Sequence, residues 1–350
     1  MEVILNPKKL QSNLENTYAG GVLTVDSHTA GEPTRLVVDG VGPIPGDTMA
    51  AKLEYFRSHY DGLRRQLTRE PRGHRDLLAA VLTEPATPES RFGLIYMDAR
   101  RYPYLCGHAT IGAVTTLIET EVLRLDAGST AVWVDTPSGP LEARVYAESG
   151  RVRSVGLRMV PSFVFSVDRS LTVPGFGDYR VDLVCAGGFF VMVPAEQIGL
   201  SLEPANATRL IELGMAMIAA GNQQFEVHHP LRPEVTTIDV VEFYDTRGLG
   251  PGRGRSAVIY GEAHIDRSPC GTGTTAKMTL LHHRDALGLH APYRNQGILG
   301  TAFEGRLVEA VMVGDLPGVV AEIRGSAHIT GLHRFFVDPE DPFPEGFLLG

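Results

Sequence analysis

Leu105–Ala113 reads LCGHATIGA, and Pro269–Lys277 reads PCGTGTTAK. Both segments have the form Cys-Gly-x-x-Thr, and each leads into a run of residues with helical spacing. The chain has three cysteines, and the third, Cys185, lies outside these segments. Two cysteines presented alike, one from each half of the chain, predict two acid/base groups that face one substrate.

Length and composition predict a globular protein of two domains. The chain has 350 residues, of which 43% are hydrophobic and 21% charged, near the globular average. A formal net charge of −9 argues against nucleic acid or an anionic membrane as the main partner. The sequence has neither an apolar run of about 18 residues, as a bilayer span needs, nor a signal peptide. We therefore expect a cytoplasmic protein whose cysteines stay reduced.

Strand patterns dominate the sequence, and four helices interrupt them. The helices are predicted at Asp47 to about Arg69, His108–Val122, Pro204–Ala220 and Gly273–Leu287. Strands are predicted at Val22–Asp26, Arg35–Asp39, Phe92–Met97, Ala131–Asp135, Leu141–Ala147, Arg153–Val160, Arg180–Cys185, Phe189–Val193, Thr236–Tyr244, Ala257–Tyr260, Leu307–Val313, Val319–Ile323, Ala327–Thr330 and Arg334–Val337. Between two of them, Tyr244–Arg255 is interpreted as a flexible loop.

The order of these elements repeats along the chain. Each half reads strands, helix, strands, Cys-Gly turn, helix and strands, which predicts an α+β fold of two similar domains related by a pseudo-twofold axis. The first domain is expected at residues 20–150, with a C-terminal segment at about 325–350, and carries Cys106. The second is expected at residues 151–324 and carries Cys270.

A cysteine at a helix start has a definite chemical meaning. The unpaired N–H groups and the partial positive charge of a helix N-terminus favour a thiolate and bind a carboxylate. Two such turns would hold an amino acid between two sulfurs, one removing the α-proton and the other supplying one. The alternatives are two buried, inert cysteines and a redox pair, although the usual Cys-x-x-Cys spacing is absent.

Other enzyme classes lack their motifs. There is no HExxH, paired Cys-x-x-Cys or facial-triad spacing for zinc or iron, and the adjacent His282 and His283 point to different sides of a helix. Neither RGLGPGRGRS nor GTGTTAK satisfies a nucleotide-binding motif. We expect no metal and no cofactor.

Four segments together resemble the proline racemase family. They are VDSHTAGEP (Val25–Pro33), CGHATIG (Cys106–Gly112), DRSPCGTGT (Asp266–Thr274) and GSAHITG (Gly325–Gly331). The resemblance runs from about Gly20 to Leu349 and covers proline racemases, 4-hydroxyproline 2-epimerases and trans-3-hydroxyproline dehydratases. It implies a diaminopimelate-epimerase-like fold, in which each domain is a mostly antiparallel curved sheet around a central helix and the active site lies in the cleft between the domains.

The resemblance also implies roles for individual residues. Cys106 and Cys270 would be the catalytic acid/base pair, and Tyr260 would form an aromatic wall of the pocket. The expected substrate-binding residues are Gly107, His108, Asp266, Gly271 and Thr272, of which Asp266 would engage the ring nitrogen and the last two the carboxylate.

The resulting interpretation is an amino-acid isomerase that racemises proline, converting L-proline to D-proline, without a cofactor. The first alternative is a 4-hydroxyproline 2-epimerase. A trans-3-hydroxy-L-proline dehydratase fits less well, because such members carry Thr in place of the second cysteine. A protein that only binds a proline-like amino acid is the non-enzyme alternative. The partner is a small molecule, and the resemblance is compatible with a homodimer.

Four residues lie outside this scheme. Ala30 departs from the GGEP form of the family motif, and Cys185 is not a recognised family residue. A structural role is expected for Cys185, and structural or exposed roles are expected for His28 and His229.

Overall fold

The computed structural model describes residues 6–18, 21–125, 130–261 and 263–349. Within these ranges lie five α-helices: α1 (Pro7–Thr17), α2 (Met49–Thr68), α3 (Gly107–Glu119), α4 (Ala207–Gln224) and α5 (Gly271–His283). None of the helices in the described residues is long and apolar enough to cross a bilayer.

The same ranges contain seventeen strands. They are β1 (Val22–Thr29), β2 (Glu32–Asp39), β3 (Leu78–Thr83), β4 (Phe92–Met97), β5 (Ala131–Thr136), β6 (Gly139–Glu148), β7 (Arg151–Arg158), β8 (Ser162–Val173), β9 (Gly177–Ala186), β10 (Phe189–Pro194), β11 (Ile238–Asp245), β12 (Arg253–Tyr260), β13 (His264–Ile265), β14 (Tyr293–Gln296), β15 (Ala302–Val313), β16 (Leu316–Gly325) and β17 (Ala327–Phe335).

Two curved sheets share one order of strand pairing. The first runs β17–β1–β2–β3–β4–β5–β6–β7, and the second runs β8–β9–β10–β11–β12–β14–β15–β16. In both, the third and fifth pairings are parallel and the others antiparallel. Parallel neighbours need a crossover connection, and α2, α3, α4 and α5 lie in these four crossovers. The predicted α+β fold of two similar halves is confirmed.

Strand β16 joins the two sheets. It pairs with β7 at the end of the first sheet and with β8 at the start of the second, so the second sheet closes on itself. Strand β7, which the sequence assigns to the second domain, also pairs with β6 and packs on α3. The domain boundaries stay a prediction.

Helices α3 and α5 are the centres of the two halves. The first packs on β1, β2, β3, β7 and β17, and the second on β8, β9, β10, β15 and β16. Residues 109–117 of α3 and 273–280 of α5 are all buried, as expected of helices enclosed on every side. Since α3 and α5 also contact each other, both halves bring a central helix to their interface.

The four predicted helices are present with shifted ends. The prediction that α4 ends before Gly221 is wrong, because the helix continues to Gln224. A methyl group at Gly221 would lie 3.1 Å from Ile238 Cδ1, so this glycine allows close packing on β11 and does not cap the helix.

Several elements were not predicted, and the interpretation of one segment as a loop was wrong. Helix α1 is polar and has no buried residue. Strands β3, β8, β13 and β14 lack a clear alternation of apolar and polar residues. The interpretation of Tyr244–Arg255 as one flexible loop is wrong at both ends, since Asp245 and Arg255 pair across the β11–β12 hairpin. Residues 246–252 alone form the connection.

Candidate active site

The first Cys-Gly turn lies at the start of α3. Cys106 precedes the helix in an extended conformation, with φ of −142°. Its carbonyl oxygen accepts hydrogen bonds from the N–H and the hydroxyl of Thr110, at 3.0 and 2.8 Å. The backbone N–H groups of His108 and Ala109 face the sulfur, and His108 Nδ1 lies 3.2 Å from it. The threonine of the motif therefore fixes the turn that presents the thiol.

The second turn, at the start of α5, has the same role but a strained backbone. Cys270 has φ of 58° and ψ of 120°, a left-handed conformation that a non-glycine residue holds only when its surroundings impose it. Its sulfur accepts a hydrogen bond from the Gly273 N–H at 3.3 Å and lies 3.4 Å from Thr272 Oγ1. The Thr274 N–H donates to the Cys270 carbonyl at 2.8 Å.

Both sulfurs lie close to Asp266 and Tyr260. In addition to burial, the charge of Asp266 raises the pKa of both thiols. After burial and the carboxylates, both cysteines contribute to raising the pKa of Tyr260. Each cysteine is 8% exposed. The two turns thus meet in one closed site between the halves.

The glycines after the cysteines leave room at both helix starts. A methyl group added at Gly107 would find Leu157 Cδ1 nearest, at 3.7 Å, and one added at Gly271 would find Met159 Cε nearest, at 3.8 Å. Backbone N–H groups of a first helical turn have no partner within the helix. Both helix starts can therefore accept a small anionic group.

A buried ionic network connects the halves beside the thiols. The Glu32 carboxylate lies 3.0 Å from His264 Nε2 and accepts a hydrogen bond from the Arg267 N–H at 2.7 Å. Asp76 lies 3.4 Å from His264 Nδ1 and 2.7 Å from the Arg267 guanidinium. Glu32 and Asp76 belong to the first half of the chain, and His264 and Arg267 precede Cys270 in the second.

The network is charged but balanced. Burial alone would lower the pKa of His264, but Asp76 and Glu32 raise it to about 9, so the imidazole carries a proton at neutral pH. Burial opposes ionisation of Glu32, yet the hydrogen bond and the charge of His264 lower its pKa. Two carboxylates therefore face one imidazolium and one guanidinium.

Sequence reasoning did not assign these four residues. Sequence motifs contain two of the four, since Glu32 lies within VDSHTAGEP and Arg267 within DRSPCGTGT. Asp76 and His264 lie outside both motifs, and their proximity follows from the fold alone.

The expected thiolate at each helix start is corrected by the structure. Burial, which comes first, and the nearby Asp266 raise the pKa of Cys106 and of Cys270, although backbone N–H groups act in the opposite direction. Desolvation exceeds the helix effect because the thiols are enclosed and the site's carboxylates add negative charge. With their pKa values raised in this way, both cysteines are neutral thiols at neutral pH.

Two neighbouring groups also have shifted protonation. Burial, followed by the charge of Glu32, raises the pKa of Asp266 to about 7, while the Ser268 N–H donates to it at 2.8 Å. Burial lowers the pKa of His108 to about 4, so its imidazole is neutral beside Cys106. Of these two groups, Asp266 is the one whose charge changes near neutral pH.

The remaining singled-out residues lie elsewhere. Cys185 is enclosed in the apolar core of the second half. His28 Nδ1 accepts a hydrogen bond from the Gly31 N–H at 3.2 Å, and His229 accepts one from the Leu231 N–H at 3.1 Å, so both histidines hold turns. In the described ranges no cluster of three or more His, Cys, Asp or Glu side chains is arranged to hold a metal ion.

Known proteins resemble this chain over almost its whole length. The sequence model of the family "Proline racemase" matches residues 24–348. The proline racemase of Clostridioides difficile is 40% identical over 332 residues, 95% of this chain and 99% of that protein. The 4-hydroxyproline 2-epimerase of Streptosporangium roseum is 42% identical over 325 residues, 93% and 97% respectively.

A solved structure resembles the fold equally fully. The crystal structure of a hydroxyproline epimerase from Agrobacterium vitis, with bound trans-4-hydroxy-L-proline, has a TM-score of 0.85 at 30% identity. The similarity covers 95% of this chain and 96% of that one.

The ionic network predicts a pH-dependent stability that His264 controls. Because the folded pKa of His264 is raised from 6.5 to about 9, its contribution is complete below pH 6.5 and is lost as pH rises through about 9. The shift corresponds to at most roughly 3 kcal/mol. His264→Gln should therefore lower the unfolding free energy in urea more at pH 6 than at pH 10.

The exposed His59 of α2 supplies the control. His59→Gln should keep the pH dependence of the unmodified protein. An equal loss of stability for His264→Gln at both pH values would contradict the protonated network.

Proposed function

The chain belongs to the proline racemase family, and we propose that it inverts the α-carbon of proline with Cys106 and Cys270 as a thiol–thiolate pair. The family membership confirms the resemblance that the sequence motifs indicated and identifies the protein as an amino-acid isomerase. The observation that carries the two-thiol proposal is the convergence of two cysteine-capped helix starts on one closed site that contains Asp266.

The helix starts supply the proposed carboxylate site. The free N–H groups after Cys106 and Cys270 are hydrogen-bond donors, and Gly107 and Gly271 leave space in front of them. A carboxylate held there places the adjacent α-carbon between the sulfurs. The same donors stabilise the additional negative charge that the carboxylate gains as the α-proton leaves.

The substrate nitrogen supplies a positive charge beside the thiols and Asp266. A secondary ammonium donates two hydrogen bonds, and the Asp266 carboxyl, whose pKa burial and Glu32 raise to about 7, accepts them once ionised. The ammonium also lowers the cost of a thiolate nearby, since an opposite charge favours the ionised form. Binding of the zwitterion therefore favours ionisation of one of the two neutral thiols, which gives its proton to solvent water.

Inversion then needs two proton transfers. The thiolate forms an S–H bond with the α-proton as the C–H bond breaks, and the opposite thiol gives its proton to the other face of the carbon. The product is the other enantiomer, and the thiol and thiolate have exchanged places. The reaction consists of proton transfers alone, and no oxidation state changes.

The choice of ring substrate is the finer part of the proposal. Identities of 40% to a proline racemase and 42% to a 4-hydroxyproline 2-epimerase do not separate the two activities. We favour proline on the resemblance of CGHATIGAVTTLIE and of the C-terminal segment to proline racemases. The presence of Cys270 disfavours the dehydratase, because loss of a 3-hydroxyl needs one base.

Parallel assays distinguish these activities. L-proline, trans-4-hydroxy-L-proline and trans-3-hydroxy-L-proline are followed by polarimetry and by proton NMR in deuterated water. We expect the fastest loss of optical rotation with L-proline. A faster reaction with the 4-hydroxy compound would replace racemase by epimerase, and binding without exchange of the α-proton would indicate a binding protein.

Substitution of either sulfur should abolish inversion. Cys106→Ser and Cys270→Ser keep the shape of the turns, but an alcohol is too weak an acid to replace a thiol. We expect racemisation to fall by about 10²- to 10⁴-fold in each variant, as for loss of a positioned acid or base. Circular dichroism and thermal unfolding monitor the fold.

Cys185→Ser is the matched control, since this cysteine lies in the core of the second half. It should keep racemase activity per folded molecule. Full activity of either Cys106→Ser or Cys270→Ser would exclude the two-thiol mechanism.

The raised pKa values of the thiols and of Asp266 predict an activity that increases with pH. The kcat/KM reports the free enzyme, in which one thiol must lose a proton and, below about pH 7, Asp266 must lose another. The plot of log kcat/KM should therefore be steeper below pH 7 than above it.

Asp266→Asn should reduce kcat/KM and remove the change of slope near pH 7. A kcat/KM that is constant from pH 6 to pH 9 would show that a thiolate exists before the substrate binds. That result would contradict the raised pKa values of both thiols.

A further inference from the structure

A buried polar cluster lies beneath the second cysteine turn and has no part in the proposed chemistry so far. It consists of Lys277 on α5, Asn295 on β14, Glu242 on β11 and Ser256 on β12, and we call it the Lys277–Asn295 cluster. Lys277, Asn295 and Glu242 are completely buried. Burial of polar and charged groups costs desolvation free energy, so such a cluster is expected to have a function.

Asn295 bridges the two ends of the Cys270 turn. Its amide nitrogen lies 3.2 Å from the carbonyl oxygen of Pro269, the residue before Cys270. It also lies 2.9 Å from Thr274 Oγ1, at the end of the motif. The Thr274 hydroxyl in turn donates to the same Pro269 carbonyl at 3.1 Å.

Lys277 fixes the orientation of that amide. Its ammonium group donates to Asn295 Oδ1 and, at 3.3 Å, to the carbonyl oxygen of Arg255. An ammonium group has donors only, so it selects the oxygen of the amide. The nitrogen of Asn295 consequently faces Pro269 and Thr274, together with Ser256 Oγ at 2.8 Å.

Glu242 balances the charge of Lys277 behind the turn. Its Oε1 lies 3.5 Å from the ammonium group, and its Oε2 lies 2.8 Å from the place a methyl group at Gly273 would take. Gly273 is the residue whose N–H donates to the Cys270 sulfur. The cluster therefore contacts the turn beside Cys270, whose Cβ lies 3.2 Å from the same methyl position at Gly273.

The first half has a different arrangement at its cysteine turn. Cys106 has an extended backbone, whereas Cys270 is left-handed. The residue of α3 that matches Lys277 in distance from the cysteine is Ala113. The buried lysine thus accompanies the strained cysteine and not its relaxed counterpart.

We propose that Asn295 and Lys277 are positioning residues that hold Cys270 in its strained conformation, and that they affect proton transfer at Cys270 but not at Cys106. This inference rests on the proposed two-thiol function. The clamp acts through the backbone, since it fixes the atoms on either side of Cys270 and so the direction of its thiol. A displacement of a reacting group by about 1 Å costs roughly 100-fold in rate.

Under the proposed two-thiol mechanism, each thiol removes the α-proton of one enantiomer, and the test uses this difference. In Asn295→Leu the bridge is lost while the side-chain volume is similar, and kcat/KM should fall by about 100-fold. Proton transfer at Cys270 then limits the rate more strongly. The primary deuterium isotope effect on kcat/KM should therefore rise for the enantiomer that Cys270 deprotonates and fall for the other.

A purely structural role for Asn295 predicts a different result. Fewer folded molecules would lower kcat and leave both isotope effects unchanged, which would overturn the inference. Thr279→Val is the control on the same helix, because Thr279 is buried and hydrogen-bonded to Thr275 and Ser162. It should leave both isotope effects at their original values.

A second variant serves if Asn295→Leu does not fold. Lys277→Met combined with Glu242→Gln removes both buried charges together, a replacement that proteins often tolerate, and frees the Asn295 amide to turn. The isotope effect should again rise for one enantiomer and fall for the other, but by less, and two effects unchanged from those of the unmodified enzyme would overturn the inference. Absence of racemisation by the unmodified enzyme would instead refute the proposed function.

Discussion

The site depends on the buried carboxylate of Glu32. From strand β2 in the first half it accepts hydrogen bonds from His264 and from the Arg267 backbone, a few residues before Cys270 in the second half. Without these partners an ionised carboxylate at this depth would be too costly to keep. The requirement to pair it fixes the second cysteine turn against the first half, and so brings the starts of α3 and α5 to the same place.

The charge balance of this region explains why the thiols are neutral before the substrate arrives. Glu32 and Asp76 are matched by His264 and Arg267, so the positive charge of these two cations is already balanced and does not favour ionisation of the thiols and Asp266. Ionisation there is unfavourable until an ammonium group enters. Under the proposed mechanism the substrate itself makes the site reactive, since a thiol reacts through its thiolate.

Sequence patterns predicted the parts of this arrangement that are local. The Cys-Gly-x-x-Thr turns are followed by helices because Thr110 and Thr274 anchor the turns, and the repeated order of elements gave the two similar halves. The residues around the thiols that decide the chemistry could not be identified from sequence patterns. Asp76 meets His264 only through the fold, and Asn295 reaches Pro269 from a short polar strand, Tyr293–Gln296, that has no strand pattern. The direction of the thiol pKa was also mispredicted, because burial depends on the whole fold whereas the helix N-terminus is visible in the sequence.

Transfer of hydrogen across the two faces of the α-carbon is the central claim, and isotope distribution during the first turnovers tests it most directly. The enzyme reacts in deuterated water with one protiated enantiomer of the substrate that it turns over fastest. The two enantiomers are then separated, and the deuterium content of each is measured by mass spectrometry. Two thiols on opposite faces predict a product enantiomer with one deuterium at Cα while the remaining substrate stays protiated. A product that retains its original proton, or deuterium that enters the substrate as fast as the product forms, would contradict the account.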